Sequence, residues 1–307
     1  MDSPELWIGF NLCVLAMLAL DLYGFNRHAH ALSLREAAAW SMVWVTLSLG
    51  FNYWILRVHG VTPALEFFTG YLIEKSLSMD NILVFLLVFR AFGIEPRFQH
   101  RVLFWGVLGA LALRGLLIAL GAALIHQFAW ILYIFGAFLV YVGLHLLIRG
   151  HKDFEPQRNP LLAWARRHFP MAESQEAHFL VSERGRRTIT RLFLALVVIE
   201  STDLLFALDS VPAVFGITRD PFLVYSSNVC AILGLRAFYF LLAGVLPLFR
   251  YLDAGVSSVL IFVGAKMLAD PWIHVPTYIS LAVVGGLLGT AMAASLFSAR
   301  TARPTNA

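Results

Sequence analysis

Charged residues are scarce in this chain of 307 residues. Asp, Glu, Lys and Arg make up 14% of it, whereas 59% is hydrophobic and the mean hydropathy is +0.75. A soluble domain carries about 25% charged residues, so this composition does not supply enough polar side chains to cover a water-exposed surface. The scarcity excludes soluble globular, coiled-coil and disordered proteins, and it predicts an all-α, polytopic membrane protein.

Cysteine is also rare. Cys13 and Cys230 are the two cysteines of the chain, and they lie far apart in separate apolar runs. Without a Cys-x-x-Cys motif, the chain lacks the ligands for a thiolate zinc site and the residues for dithiol redox chemistry. The start of the chain also lacks the basic region of a cleaved signal peptide, so we expect the first apolar run to remain as a helix.

Nine apolar runs are close to the length of about 20 residues that a membrane-spanning helix requires. They cover residues 5–23, 36–56, 66–90, 101–125, 129–149, 191–215, 222–246, 254–270 and 275–297. The sequence therefore predicts about nine transmembrane helices. The eighth run is short, so it could be tilted or partly re-entrant.

Lys and Arg are distributed unevenly between the segments that connect these runs. Seventeen fall on the side that holds the carboxyl terminus and the long segment 150–190, and two, Arg57 and Arg219, fall on the other side. Because basic residues accumulate in cytoplasmic loops, we predict an inner (plasma) membrane protein with its amino terminus outside and its carboxyl terminus in the cytoplasm. The formal net charge of +4 then reflects topology and does not indicate a nucleic-acid partner.

The two halves of the chain contain matching segments in the same order. LALRGLLIAL (111–120) matches ILGLRAFYFL (232–241) when their arginines are aligned, and LVYVGLHLL (139–147) matches LIFVGAKML (260–268). Since each unit holds three helices, the second would enter the membrane from the opposite face, which predicts an inverted 3+3 repeat typical of secondary transporters. The predicted parts are two N-terminal helices (1–60), the first repeat (61–149), a cytoplasmic loop (150–190), the second repeat (191–270), and the last helix with its tail (271–307).

Acidic residues occur within two of the apolar spans, where an ionised side chain costs several kcal/mol. They are Glu74 and Asp80 in the third span and Glu200, Asp203 and Asp209 in the sixth. The bases within nearby spans, Lys75, Arg114 and Arg236, leave two negative charges uncompensated. A divalent cation or a pair of protons would neutralise these two charges, whereas a purely structural network of salt bridges would leave them unpaired.

The side chains beside these acids are oxygen donors suited to a hard divalent cation. Carboxylates, Asn81, Ser210 and main-chain carbonyls favour magnesium, calcium or manganese, and no histidine or cysteine adjoins the acids to favour zinc or copper. Met79 could add a thioether that favours manganese over calcium, although packing within the helix is the alternative. Pro212 removes a helical hydrogen bond and predicts a break or kink that would direct Asp209 inward.

Two motifs resemble the TerC family, in particular its Alx-like branch. They are EKSLSMDNILVF (74–85) and LALVVIESTDLLFALDSVPAVFGITRDPF (194–222), the second followed by SNVCAILGLRAFYFLL (227–242). The similarity runs over roughly residues 60–290. It implies a multi-pass membrane protein related to cation and amino-acid exporters, manganese export, and an essential role for the five membrane acids. It also implies possible membrane-protein partners, because some relatives are linked to the assembly of other membrane proteins.

The residues and the resemblance together predict a secondary transporter that exports Mn²⁺ by alternating access, coupled to proton influx. The expected metal ligands are Glu74, Asp80, Asn81, Glu200, Asp203 and Asp209, supported by Met79, Arg114, Ser210, Pro212 and Arg236. The two arginines would keep the acids ionised or neutralise the emptied site. Mn²⁺ is expected as the transported substrate, with no permanently bound cofactor, no enzymatic activity and the lipid bilayer as the surroundings.

Three alternatives stay open. The same oxygen ligands suit calcium or another divalent cation. Asp80 and Asp209 could instead form the dyad of an intramembrane aspartyl protease, whose chemistry would survive Glu200→Gln. A non-transporting assembly factor is the third alternative, and in it the cytoplasmic loop, not the membrane acids, would be essential.

Overall fold

The computed structural model describes residues 3–26, 34–128, 130–149, 162, 167, 178–183, 186–242, 251–273 and 275–301. Within these ranges the chain forms ten helices and one antiparallel pair of strands. The helices are α1 (Pro4–Asn26), α2 (Leu34–His59), α3 (Val61–Phe92), α4 (Pro96–Gln127), α5 (Ile131–Arg149), α6 (Arg191–Phe215), α7 (Pro221–Leu233), α8 (Leu235–Leu242), α9 (Leu252–Ala269) and α10 (Thr277–Thr301). The strands are β1 (Leu180–Glu183) and β2 (Arg186–Ile189).

The helices have the length and the apolar surface of membrane-spanning segments. Among the described residues, α4, α5, α9 and α10 each contain an apolar stretch of 18 residues or more, and α7 with α8 forms a bent fifth candidate. Large apolar side chains such as Leu12, Met42 and Tyr141 point outward, where a bilayer would cover them. The predicted class, an all-α polytopic membrane protein, is confirmed. The number of nine spans and the inverted repeat stay predictions.

Local sequence signals determine where the central helices begin and end. α3 ends at Gly93, which adopts a left-handed conformation with φ of 63° and donates its N–H to the carbonyls of the last turn. α7 begins after Asp220, whose carboxylate accepts hydrogen bonds from the N–H groups of Phe222 and Leu223. Pro221 occupies the first turn of α7, where a helix needs no N–H from that residue.

Six helices form the centre of the bundle. α3 and α4 both pack against α6 and α7, and α5 packs along α9. The close approach of α5 to α9 depends on glycine. A Cβ atom on Gly143 would lie 2.8 Å from the carbonyl oxygen of Ser257, and a Cβ atom on Gly264 would lie 2.6 Å from the carbonyl oxygen of Gly136. Gly143 and Gly264 are the two glycines that align in the matching segments of the sequence.

The sixth apolar span does not break beside Asp209, so the predicted unwound stretch is wrong. α6 is a continuous helix from Arg191 through Pro212 to Phe215, and the N–H of Gly216 still donates to the carbonyl of Pro212 at 2.9 Å. A proline removes one helical hydrogen bond, and here it does so within the last turn, where the helix is about to end.

The break lies instead in the seventh span, which was predicted as one helix over 222–246. α7 and α8 meet at Gly234 with a bend of 46°. A Cβ atom on Gly234 would lie 2.9 Å from the Cβ atom of Trp44 on α2, so glycine allows α2 to pass close to the bend. The eighth span, by contrast, forms the uninterrupted helix α9.

The segment between α5 and α6 contains a β-hairpin that the sequence analysis did not predict. Leu180 pairs with Ile189 and Glu183 pairs with Arg186. The Thr190 hydroxyl donates to the carbonyl of His178 at 2.8 Å and accepts from the N–H of Phe193 in the first turn of α6. The hairpin is therefore attached to the start of the helix that carries three of the membrane acids.

Candidate cation-binding site

Arg114 of α4 lies at the centre of a buried polar cluster. It is 2% exposed, although it carries a full positive charge. Its Nη2 atom donates to Oδ1 of Asp203 at 2.9 Å, and its Nε atom donates to Oδ2 at 3.3 Å. Through Nη1 it forms an ion pair with Glu74 of α3. One guanidinium group thus joins two acids from different helices with the two-pronged geometry that favours arginine over lysine.

Three neutral side chains complete the cluster. Arg114 Nη1 also donates to Oδ1 of Asn228 at 3.1 Å and to Oγ of Ser210 at 3.4 Å. Asn81 donates its Nδ2 to Oδ1 of Asp203 at 3.2 Å. All of these side chains are buried, so the cluster connects α3, α4, α6 and α7 away from bulk water.

Two oxygen atoms in this cluster have no hydrogen-bond donor among the described residues. They are Oε2 of Glu74 and Oδ1 of Asn81, both fully buried. Leaving a buried acceptor unsatisfied costs about 1–3 kcal/mol, and more if it is charged. Carboxylate and amide oxygens of this kind are ligands for hard divalent cations, so the cluster has free coordinating atoms for such an ion.

Glu200 lies one turn before Asp203 on α6 and is half-buried. Its carboxyl group rests against Gly109 of α4, where a Cβ atom would overlap the carboxyl atoms. The glycine therefore makes the space that the Glu200 side chain occupies.

The other predicted site residues are placed as follows. Asp80 lies on α3, and its side chain falls outside the described part of the structure. Asp209 is partly buried on α6, and Arg236 is buried on α8 beyond the bend. Met79 packs at the edge of the hydrophobic core. Within the described ranges, no group of three or more His, Cys, Asp and Glu side chains forms a ready-made metal centre.

Asn228 is a member of the cluster that the sequence analysis missed. It lies within the quoted motif at 227–242, and its Nδ2 donates to the carbonyl of Val224 one turn earlier. The position of Asn228 in an apolar span is a signal that the sequence contains. A buried amide side chain needs a hydrogen-bond partner for the same reason as a buried acid does.

Apolar helices around a buried arginine–carboxylate cluster define a multi-pass membrane protein with a charged site inside the membrane. The profile of the integral membrane protein TerC family matches residues 59–303. The chain belongs to the TerC family, which confirms the resemblance that its two motifs predict.

Several relatives are similar over nearly the whole chain. The membrane protein STKORF319 of Myxococcus xanthus is 47% identical over 308 residues, which cover 100% of this chain and 97% of that protein. A candidate membrane-bound redox modulator, Alx, of Escherichia coli strain K12 is 47% identical over 298 residues, or 94% of this chain and 93% of Alx. A membrane protein of Rickettsia bellii is 38% identical, over 92% and 94% of the two chains. No solved structure matches this chain.

Proposed function

We propose that this protein is a secondary transporter that exports Mn²⁺ from the cytoplasm by alternating access, with protons moving inward. The observation that carries the proposal is the sharing of one buried arginine, Arg114, by Glu74 of α3 and Asp203 of α6. A structural ion pair needs one acid for each base. A second buried acid adds a charge that the described contacts do not neutralise.

The charge balance of the cluster favours a cationic substrate, and the two negative charges left over among the five membrane acids and three bases of the sequence favour a divalent one. Glu74 and Asp203 carry two negative charges when ionised, and Arg114 carries one positive charge. Burying an unmatched charge is expensive, so binding of a cation or of protons stabilises the cluster. Exchange of one divalent cation for two protons leaves the charge of the site unchanged, which supports coupling to protons.

Arg114 is expected to compete with the substrate for Asp203. Both oxygens of Asp203 accept hydrogen bonds from the arginine, whereas Oε2 of Glu74 and Oδ1 of Asn81 accept none from the described residues. An arriving cation would find the last two atoms free and share the Asp203 carboxylate. After its release, the guanidinium would again hold both acids in place.

The bend between α7 and α8 supports a transport mechanism. Transporter sites are commonly formed by interrupted helices that meet near the middle of the membrane. α7 carries Asn228, which contacts Arg114, and Arg236 lies on α8 just after the bend at Gly234. A change in the 46° angle would therefore alter the position of Asn228 relative to Arg236.

We propose export because the resemblance to the TerC family implies it. In the predicted topology of this inner-membrane protein, the cation then leaves the side of the basic loop 150–190, the cytoplasm, and emerges on the side of the amino terminus. The name of the relative Alx suggests a redox role. Cys13 and Cys230 are free thiols that line the same pocket. The proposed transport function does not use them, and we propose that any redox effect of this chain arises indirectly, through metal transport.

Cation flux into proteoliposomes tests this function. Mn²⁺, Ca²⁺ and Mg²⁺ are compared for the wild type, Glu200→Gln and Glu95→Gln, the last being a control at an exposed acid. We expect the wild type to transport Mn²⁺, and a proton gradient directed opposite to the Mn²⁺ flux should accelerate it. Glu200→Gln should reduce the flux severely. Folded wild-type protein without flux of any cation would contradict the proposal and favour an assembly factor. Flux of Ca²⁺ in preference to Mn²⁺ would correct the substrate.

A further inference from the structure

A second polar region lies at the end of the bundle where α3 begins and α6 and α9 end. It is a cavity of about 560 Å³ whose polar lining includes Thr62, Glu66, Thr218, Arg219, Lys266 and Asp270. Under the predicted topology this end faces the outside of the cell. It is separate from the Arg114 cluster, and none of its residues was predicted as a site residue.

Carboxylates and basic groups alternate around this cavity. Oε2 of Glu66 accepts a hydrogen bond of 2.6 Å from the Thr218 hydroxyl. Nη2 of Arg219 pairs with Oδ2 of Asp270 at 2.9 Å. Lys266 of α9 lines the same cavity as Glu66 and Asp270. Each acid therefore has a basic group nearby, in contrast to Glu74 and Asp203, which share one.

Two helices, α3 and α6, connect the Arg114 cluster to this cavity. Glu66 precedes Glu74 by eight residues on the continuous helix α3, a rise of about 12 Å along the helix axis. Met267, beside Lys266, packs against Gly216 at the end of α6. The lining thus includes the ends of both helices that supply the acids of the cluster.

We propose that this cavity is the exit vestibule for the exported cation and that Lys266 keeps its affinity for divalent cations low. This inference rests on the proposed function. The carboxylates of Glu66 and Asp270 replace part of the hydration shell of a departing cation, and the Lys266 ammonium group repels it. The cation consequently leaves the protein and does not return to the Arg114 cluster.

Everted membrane vesicles test the inference, because their lumen corresponds to the outside of the cell. Export from the cell then appears as uptake of Mn²⁺ into the vesicle, and the proposed vestibule faces the lumen. The initial rate of uptake is measured against the concentration of Mn²⁺ preloaded in the lumen. We expect Lys266→Met to lower the half-inhibitory lumenal concentration about tenfold, the equivalent of 1.4 kcal/mol. Glu66→Gln should raise it. Arg57→Met is the matched control, since Arg57 is a basic residue on the same predicted side but outside the cavity.

The outcomes separate this inference from the function on which it rests. If the wild type takes up Mn²⁺ and Lys266→Met and Glu66→Gln have the same half-inhibitory concentration as the wild type, the proposed vestibule is wrong but the transport function stands. An equal shift in Arg57→Met would also overturn the vestibule, because a general surface-charge effect would then account for the result. Vesicles with folded wild-type protein and no Mn²⁺ uptake would overturn the transport function and the vestibule together.

Discussion

Arg114 and Asp203 form a two-pronged ion pair in the interior of the bundle, with hydrogen bonds of 2.9 and 3.3 Å to the two carboxylate oxygens. The pair joins α4 to α6, and Glu74 extends it to α3. Because a guanidinium group is planar and permanently charged, this pair fixes the orientation of Asp203, and one positive charge serves both acids.

Replacing Arg114 tests the need for this geometry. Arg114→Lys keeps the charge but cannot pair with both oxygens of Asp203 in the same way, so we expect Mn²⁺ flux to fall at least about tenfold. Arg114→Met leaves two buried acids unpaired and should destabilise the protein by about 3–5 kcal/mol. Flux and thermal unfolding in detergent measure the two effects. Wild-type flux in Arg114→Lys would show that the paired geometry is unnecessary.

Gly109 should be essential for the position of Glu200. In Gly109→Ala the new Cβ atom overlaps the Glu200 carboxyl group, which is the far end of a flexible side chain. The carboxyl group has to move, so we expect a loss of Mn²⁺ flux with a smaller loss of stability than overpacking of a rigid core causes. Gly285→Ala is the control, because nothing lies within 4 Å of a Cβ atom there. Equal flux in Gly109→Ala and Gly285→Ala would contradict this assignment.

The bend at Gly234 should depend on the absence of a side chain. Gly234→Ala places a Cβ atom 2.9 Å from that of Trp44, which should push α2 away from α7 and α8. We expect a lower thermal stability and a slower flux, because the change acts on the two segments that carry Asn228 and Arg236. Gly289→Ala, at a position with open space around it, serves as the comparison. An unaffected flux in Gly234→Ala would separate the bend from transport.

The side-chain carbonyl oxygen of Asn228 should contribute to the stability of the protein, because it accepts a hydrogen bond from Arg114. Asn228→Leu removes the acceptor of the 3.1 Å hydrogen bond from Arg114 and should lower stability by about 1–3 kcal/mol. Asn228→Asp restores an acceptor but adds a third acid beside one arginine, so it should leave stability below that of the wild type and should alter the response of flux to pH. The pH profile of flux distinguishes the two variants. Identical profiles and stabilities would show that Asn228 has no role in the cluster.

The sequence allowed the class of the fold and much of the cluster to be predicted, because membrane burial makes charged residues costly and therefore conspicuous. Glu74, Asp203, Asn81, Ser210 and Arg114 were all selected from their positions in apolar spans, and the structure brings them into one network. The motifs quoted for the TerC resemblance contain Glu74, Asn81, Asp203 and Ser210 but not Arg114.

Other features depend on contacts between segments that the sequence does not place side by side. The bend at Gly234 arises where Trp44 of a distant helix approaches, whereas Pro212, the stronger local signal, lies near the end of α6 and interrupts nothing. The cavity around Glu66 and Lys266 likewise forms only when the ends of three helices meet. The pattern of residues within one segment does not show which other segments it contacts in the folded protein.

Direct binding of Mn²⁺ to the purified protein tests the central claim, that the Arg114 cluster holds the exported cation. Free Mn²⁺ is titrated by electron paramagnetic resonance against the wild type, Asp203→Asn and the control Glu95→Gln. We predict binding by the wild type and by Glu95→Gln, and an affinity lower by about tenfold or more, or 1.4 kcal/mol, for Asp203→Asn. Equal affinities for the wild type and a folded Asp203→Asn variant would contradict the account.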